Sequence, residues 1–213
     1  MTEIVKVDRD GPSAAGSALE RYVGEGGVAI FPADTLYGLA CDPLNAEAVE
    51  RIHSLKGRDA EKPSAVMYFS PLAMRELVSG LGKRTRQAVS TLLPGPATLV
   101  IANPERRYPL ACREDPERLG IRLIEGPLAG AMTPILQTSA NLAGARPPTR
   151  FDQIDEEILD AVDLAIDGGE LIGAPSTVVD LTDIDRGGTW AVLREGALTS
   201  SEIDRRLAAL VAD

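Results

Sequence analysis

The sequence predicts a single α/β domain, and three observations carry that reading. Segments with a helical apolar period alternate with short β-branched runs from one end of the chain to the other. The 213 residues are 44% hydrophobic and 25% charged, near the globular average, and suffice to bury a core without disulfide or metal staples. No internal repeat, low-complexity tract or Pro/Ser linker divides the chain, so residues 1–213 read as one domain.

The elements follow in order. A helix over Ala14 to Val23 ends in Gly24-Glu25-Gly26-Gly27, and Val28 to Phe31 is a short apolar strand. Asn45 is placed to cap a helix whose apolar face is Ala48, Val49, Ile52 and Leu55, with Gly57 where a left-handed C-terminal cap belongs. Ser64 to Phe69 reads as a strand, Pro71 to Val78 and Lys83 to Leu93 as helices, and Ala97 to Ala102, Leu119 to Ile124 and Pro134 to Thr138 as strands. The second half repeats the alternation, with a helix over Asp152 to Leu159 and extended runs at Val162 to Ile166, Thr177 to Leu181 and Trp190 to Leu193. Thr199 and Glu202 form a capping box before a last helix that carries Ile203, Leu207 and Leu210 on one face.

Charge and cysteines exclude several classes. Asp plus Glu number 32 against 22 Lys plus Arg, and a net charge of -10 opposes a non-specific nucleic-acid coat unless cations gather in one place. Cys41 and Cys112 stand far apart with no CxxC spacing, which supports neither a disulfide framework nor a zinc site. The N-terminus lacks a signal-peptide pattern and no apolar stretch reaches membrane-spanning length, so a cytoplasmic protein with no membrane partner is expected.

Familiar catalytic machines are also missing. His53 is the single histidine and lies mid-helix, so it reads as a surface or packing residue, and no metal-ligand set is found. Gly24-x-Gly26-x-x-Ala29 spells a dinucleotide fingerprint, but it precedes a strand where the fingerprint must follow one, so it reads as a helix-ending turn. No GxxxxGK[ST] occurs; phosphate must be held some other way.

Two features point to that other way. Of four lysines, Lys56 and Lys62 frame Arg58 within Lys56-Gly57-Arg58-Asp59-Ala60-Glu61-Lys62-Pro63. Such a run either complements a helix dipole or clamps polyphosphate, with arginine as a planar fork and lysine as a point charge. Gln137-Thr138-Ser139-Ala140-Asn141 follows the apolar Pro134-Ile135-Leu136, and Asp34-Thr35 and Ser176-Thr177 likewise border strands. Small hydroxyl and amide groups at strand ends suit either turns or a ligand crevice.

In order, Phe31-Pro32-Ala33-Asp34-Thr35-Leu36-Tyr37-Gly38-Leu39, Lys56-Gly57-Arg58 through Lys62-Pro63, Leu93-Pro94-Gly95-Pro96-Ala97-Thr98-Leu99, Arg122, Ser139-Ala140-Asn141, Ser176 to Asp180 and Leu193-Arg194-Glu195-Gly196 resemble the YrdC/Sua5 family of L-threonylcarbamoyladenylate synthases. The resemblance spans about Ala29 to Ala197. It implies one α/β domain on a twisted, open, mixed sheet with a positively lined concavity. It also implies a reaction in which L-threonine, bicarbonate and ATP give threonylcarbamoyl-AMP and pyrophosphate, the intermediate for N6-threonylcarbamoyladenosine in tRNA. By the same resemblance Lys56 and Arg58 are candidate catalytic residues. Arg58, Lys62, Ser139, Asn141 and Arg194 would hold the nucleotide, Thr35, Arg122 and Ser176 the amino acid, and Mg²⁺ would accompany ATP. The implied partners are these substrates, a downstream tRNA threonylcarbamoyl transferase and at most a weak contact with RNA.

Departures from the family pattern fall mainly on the amino-acid side: Ala33 and Met67 stand where many members carry polar groups, and Pro147 replaces a serine near the nucleotide. A modest preference for threonine over serine is therefore expected. Lys62-Pro63-Ser64-Ala65-Val66-Met67 also looks like the carbamoyl-adenylate domains of hydrogenase-maturation and antibiotic carbamoyltransferases, which makes a different acceptor one alternative. RNA binding without turnover is another, and a phosphate-sugar lyase needing a histidine metal ligand is a third, for which His53 is poorly placed.

Overall fold

The computed structural model of the chain describes residues 1–57 and 63–210. In chain order its elements are β1 (Glu3–Lys6), α1 (Val7–Asp10), α2 (Pro12–Gly24), β2 (Ala29–Pro32), β3 (Tyr37–Cys41), α3 (Ala46–Lys56), β4 (Ala65–Tyr68), α4 (Pro71–Ser79), α5 (Lys83–Leu92), β5 (Ala97–Ala102), α6 (Pro109–Cys112), β6 (Arg118–Leu123), β7 (Ile135–Ser139), α7 (Glu156–Asp160), β8 (Leu164–Asp167), β9 (Thr177–Asp180), β10 (Ala191–Arg194) and α8 (Ser200–Leu207). Among the described residues the strands form one open sheet ordered β1-β8-β2-β3-β7-β4-β6-β5-β9-β10. It is mixed: β4 and β6 run parallel, as do β5 and β9, whereas β5 and β6, β3 and β7 and β9 and β10 are antiparallel. This is the expected α/β layer architecture.

Strand alternation divides the core in two. One face sends Leu39, Val66, Leu99, Ile121 and Val179 into a large cluster closed by α3, α4, α5, α7 and α8. The other face builds a smaller cluster at one end, where Phe31, Met67 and Ile135 meet Ala15, Leu19 and Val23 of α2. The remainder of that second face is the floor of a cleft.

Most expected elements form within a residue or two of their predicted bounds. The fingerprint-like glycines do end α2: the Glu25 and Gly27 amides donate to the Arg21 and Tyr22 carbonyls, with Gly26 at φ +83°. Two strands were not anticipated. All five residues of β3 are buried, so Tyr37-Gly38-Leu39-Ala40-Cys41 shows no alternation to read, and β1 is too short to stand out. The helix expected over Asp152 to Leu159 breaks because the Asp155 carboxylate accepts from the Glu157 amide and starts α7 afresh, after a single 3₁₀ turn over Phe151–Gln153. At α8 half of the capping box forms: Thr199 Oγ1 accepts from the Glu202 amide at 3.2 Å, while the Glu202 carboxylate turns to Arg206.

The helix α3 carries Lys56 to the site, and both its ends are fixed by the expected residues. Asn45 Oδ1 accepts from the Ala48 amide at 3.1 Å, and Gly57 adopts the left-handed conformation at φ 53°. We expect Asn45→Ala to lower stability by about 1 kcal/mol in chemical denaturation, the usual worth of an N-cap; an unchanged midpoint would contradict that role.

Candidate functional site

A cleft of about 630 Å³ opens on the uncovered half of the second sheet face, within the range of small-molecule sites. Its floor follows from strand alternation. On β6, Leu119, Ile121 and Leu123 enter the core, which leaves Arg118, Gly120 and Arg122 facing the cleft; on β5, Thr98 and Val100 do the same. Ala65 and Gly120 keep the middle of the floor low. A Cβ on Gly120 would meet Ala65 at 3.6 Å, an ordinary contact, so the open space there reflects the choice of a small residue rather than a backbone demand.

One end of the cleft is built around Arg122, which is only 4% exposed. Its Nη2 donates to Asp34 Oδ1 at 2.5 Å and its Nη1 reaches Gln137 Oε1 at 3.4 Å. Burial lowers the Arg122 pKa and raises that of Asp34, and in each case their mutual attraction opposes the shift. Arg122 Nε and Asp34 Oδ2 are buried without a hydrogen-bond partner, so the pair retains unused donor and acceptor capacity. Thr35 lines the same end, held in place as its carbonyl accepts from the Gly173 amide.

The other end is built around Arg194, and a β-bulge places it. The register of β10 on β9 shifts between Val192 and Arg194, so Leu193 is an extra residue and both Leu193 and Arg194 border the cleft. Arg194 Nη2 donates to the Ser176 carbonyl at 2.9 Å. Ser176 is buried, and its hydroxyl lies 2.8 Å from that of Thr98. Beneath them Thr177 Oγ1 donates to the Leu198 carbonyl and accepts from the Gly196 and Leu198 amides, which pins the turn after β10. Gly196 is required there: a Cβ would fall 2.1 Å from the Pro175 carbonyl oxygen.

The turn after β7 forms a further wall of the cleft. Lys56 Nζ donates to the Ser139 carbonyl and, at 2.8 Å, to the Asn141 carbonyl, and lies 3.4 Å from Ser139 Oγ. Asn141 Nδ2 donates to the Leu142 and Ala145 carbonyls, while its Oδ1 is buried without a hydrogen-bond partner. The ammonium thus shapes the turn that presents Ser139 and Asn141.

Seven residues expected at a site therefore line one cleft: Thr35, Lys56, Arg122, Ser139, Asn141, Ser176 and Arg194. Arg58 and Lys62 lie outside the described residues. His53 is buried on α3, consistent with packing. The expectation that Ala33 and Met67 loosen the amino-acid pocket is not upheld: both sit in the smaller core, Met67 fully buried in the same cluster as Phe69 and Ile135. Pro147 does line the cleft.

Sequence reasoning missed Thr98 and Arg118 as site groups, and it named Asp34 beside Thr35 without its pairing to Arg122. Arg118 lines the cleft and pairs with Asp180 at 2.5 Å and Asp115 at 3.7 Å. The alternation 118, 120, 122 on a strand already holding Arg122 was the signal for it. Cys112 also borders the cleft, but burial pushes its thiol up to about 11, so it stays protonated at neutral pH and offers no nucleophile.

Comparison with known proteins sharpens this geometry. A family model named for Sua5, YciO and YrdC and described as "Telomere recombination" matches residues 21–196. A threonylcarbamoyl-AMP synthase of Pyrococcus abyssi is 31% identical over 195 residues, covering 86% of this chain and 54% of the relative. One from Marinobacter nauticus is 30% identical over 183 residues, covering 82% of this chain and 95% of the relative. The crystal structure of P. abyssi Sua5 complexed with L-threonine superposes with a TM-score of 0.83 at 29% identity, covering 96% of this chain and 61% of that one. The chain thus spans about half the length of the archaeal relative and nearly all of the bacterial one.

Proposed function

Because the chain belongs to the Sua5/YciO/YrdC family, we propose that it is a nucleotidyltransferase that joins L-threonine, bicarbonate and ATP into threonylcarbamoyl-AMP with release of pyrophosphate. The observation that carries the reading is one cleft with a buried arginine fork at one end and an exposed arginine at the other. A buried guanidinium backed by Asp34 suits a single carboxylate, held bidentately, and an exposed one at the cleft rim suits phosphate.

The chemistry asks for positioning and charge neutralisation more than for a proton relay. Arg122 would take the threonine carboxylate, with Thr35 and Ser176 orienting the rest of the amino acid. The free amine adds to carbon dioxide drawn from bicarbonate, losing a proton and leaving an N-carboxylate. That carboxylate oxygen attacks the α-phosphorus, and the bond from this phosphorus to the α,β-bridging oxygen breaks, so that the β- and γ-phosphates leave together as pyrophosphate. Arg194, with Ser139 and Asn141, would hold the nucleotide, and Arg58 and Lys62 are proposed to join them. Lys56 would serve the reaction by fixing the Ser139–Asn141 turn. Mg²⁺ would enter as part of the substrate, on the phosphate oxygens of ATP. The downstream consumer would be a tRNA threonylcarbamoyl transferase.

Nucleotide products test this directly. Chromatography should show threonylcarbamoyl-AMP, together with any AMP released by its hydrolysis, in an amount equal to the pyrophosphate formed and dependent on both bicarbonate and threonine. ADP and phosphate as the only products would contradict attack at the α-phosphorus. With Met67 and Ala33 in the core, threonine is expected to be clearly preferred over serine; equal rates would point to a different acceptor.

A further inference from the structure

Ser176 links Arg194 to the floor of the cleft. Its hydroxyl shares a 2.8 Å hydrogen bond with Thr98 Oγ1, and Arg194 Nη2 donates to its carbonyl at 2.9 Å and approaches its hydroxyl at 3.4 Å. Thr98 projects from β5 onto the cleft floor opposite Val178, so it reaches Ser176 from a strand paired on both sides rather than from a loop. In the function proposed above Ser176 would touch the amino acid, while its carbonyl holds the arginine assigned to the nucleotide.

Resting on the function proposed above, we propose that Thr98 is a positioning residue which, through Ser176, couples occupancy of the amino-acid end to occupancy of the nucleotide end. The proton count gives the sign. A guanidinium only donates, so Ser176 Oγ accepts from Arg194 and has one proton of its own to give. When an amino-acid oxygen takes that proton, the Thr98 hydroxyl rotates and donates to Ser176 in turn. Every hydroxyl is then satisfied, and the polarised Ser176 oxygen is a better acceptor for Arg194. Arg194 is held more firmly in the orientation that meets phosphate, so each ligand tightens the other by the same factor.

The test is calorimetry of ATP and L-threonine in degassed, bicarbonate-free buffer, where the N-carboxylate does not form. Each ligand is titrated alone and in the presence of saturating amounts of the other. For the unsubstituted protein we expect threonine to tighten ATP about tenfold, within the ordinary range of coupled sites. Thr98→Val keeps the shape and strand preference but removes the hydroxyl; it should leave ATP affinity measured alone within about twofold and reduce the coupling to near unity. Thr98→Ser should restore it. Coupling that persists in Thr98→Val, is lost equally in Thr98→Ser, or is absent while both ligands bind would overturn the relay and leave the proposed function standing. Failure of the unsubstituted protein to bind threonine at all would overturn the function and the relay with it.

Discussion

Replacing Arg122 by alanine should remove threonine-dependent turnover and destabilise the fold together. The lost guanidinium contacts to a carboxylate are charged hydrogen bonds worth about 1.5 to 3 kcal/mol each, so kcat/KM for threonine should fall by about a hundredfold or more. Asp34 would be left buried without its cation, and breaking one side of such a pair costs about 3 to 5 kcal/mol. The pH dependence has a definite sign. Burial already raises the Asp34 pKa, and without Arg122 it rises further. The folded variant then binds more protons than the unfolded chain, so its stability is greatest below the unfolded carboxylate pKa of about 4 and falls as pH rises above it. Thermal melts of Arg122→Ala at pH 5 and pH 8 check this; a higher melting temperature at pH 8 would contradict the pairing. The double variant Asp34→Asn with Arg122→Leu should regain stability without regaining turnover, which separates the two roles.

Lys56→Met carries the second large effect. It leaves the Ser139 and Asn141 carbonyls without the ammonium that joins them, at about 1 to 3 kcal/mol for each buried acceptor left unmet. With the turn released, Ser139 and Asn141 no longer present a fixed edge to the nucleotide. ATP affinity measured by calorimetry should drop by about tenfold or more, alongside a lowered denaturation midpoint. Lys56→Arg should not restore it, because a planar fork cannot replace a point donor between two converging carbonyls. Unchanged ATP affinity in Lys56→Met would remove Lys56 from the account.

What the sequence revealed, and what it hid, divides along physical lines. The capped helix α3, the strands β5 and β6 and the turn after β7 were all legible, because each is written in local chemistry: a cap, an alternation, a run of small polar residues. Family resemblance added what local chemistry could not, the gathering of Thr35, Arg122, Ser176 and Arg194 into one cleft from segments far apart in the chain. Three things stayed hidden for want of tertiary information. The Asp34–Arg122 pair spans 88 residues. The bulge that turns Arg194 to the cleft depends on a register between β9 and β10 that no spacing announces. The misreading of Met67 has the same origin. Arg122 is its direct ladder partner, yet Met67 is packed into the smaller core while Arg122 borders the cleft.

The central claim is that one cleft brings an amino acid, a one-carbon unit and a nucleotide into a single molecule. Incubation with ¹³C-bicarbonate, ATP and L-threonine followed by mass spectrometry tests it most directly. The account predicts one product containing adenosine monophosphate, threonine and the labelled carbon, formed together with pyrophosphate. ATP consumed while the label stays in bicarbonate would contradict it.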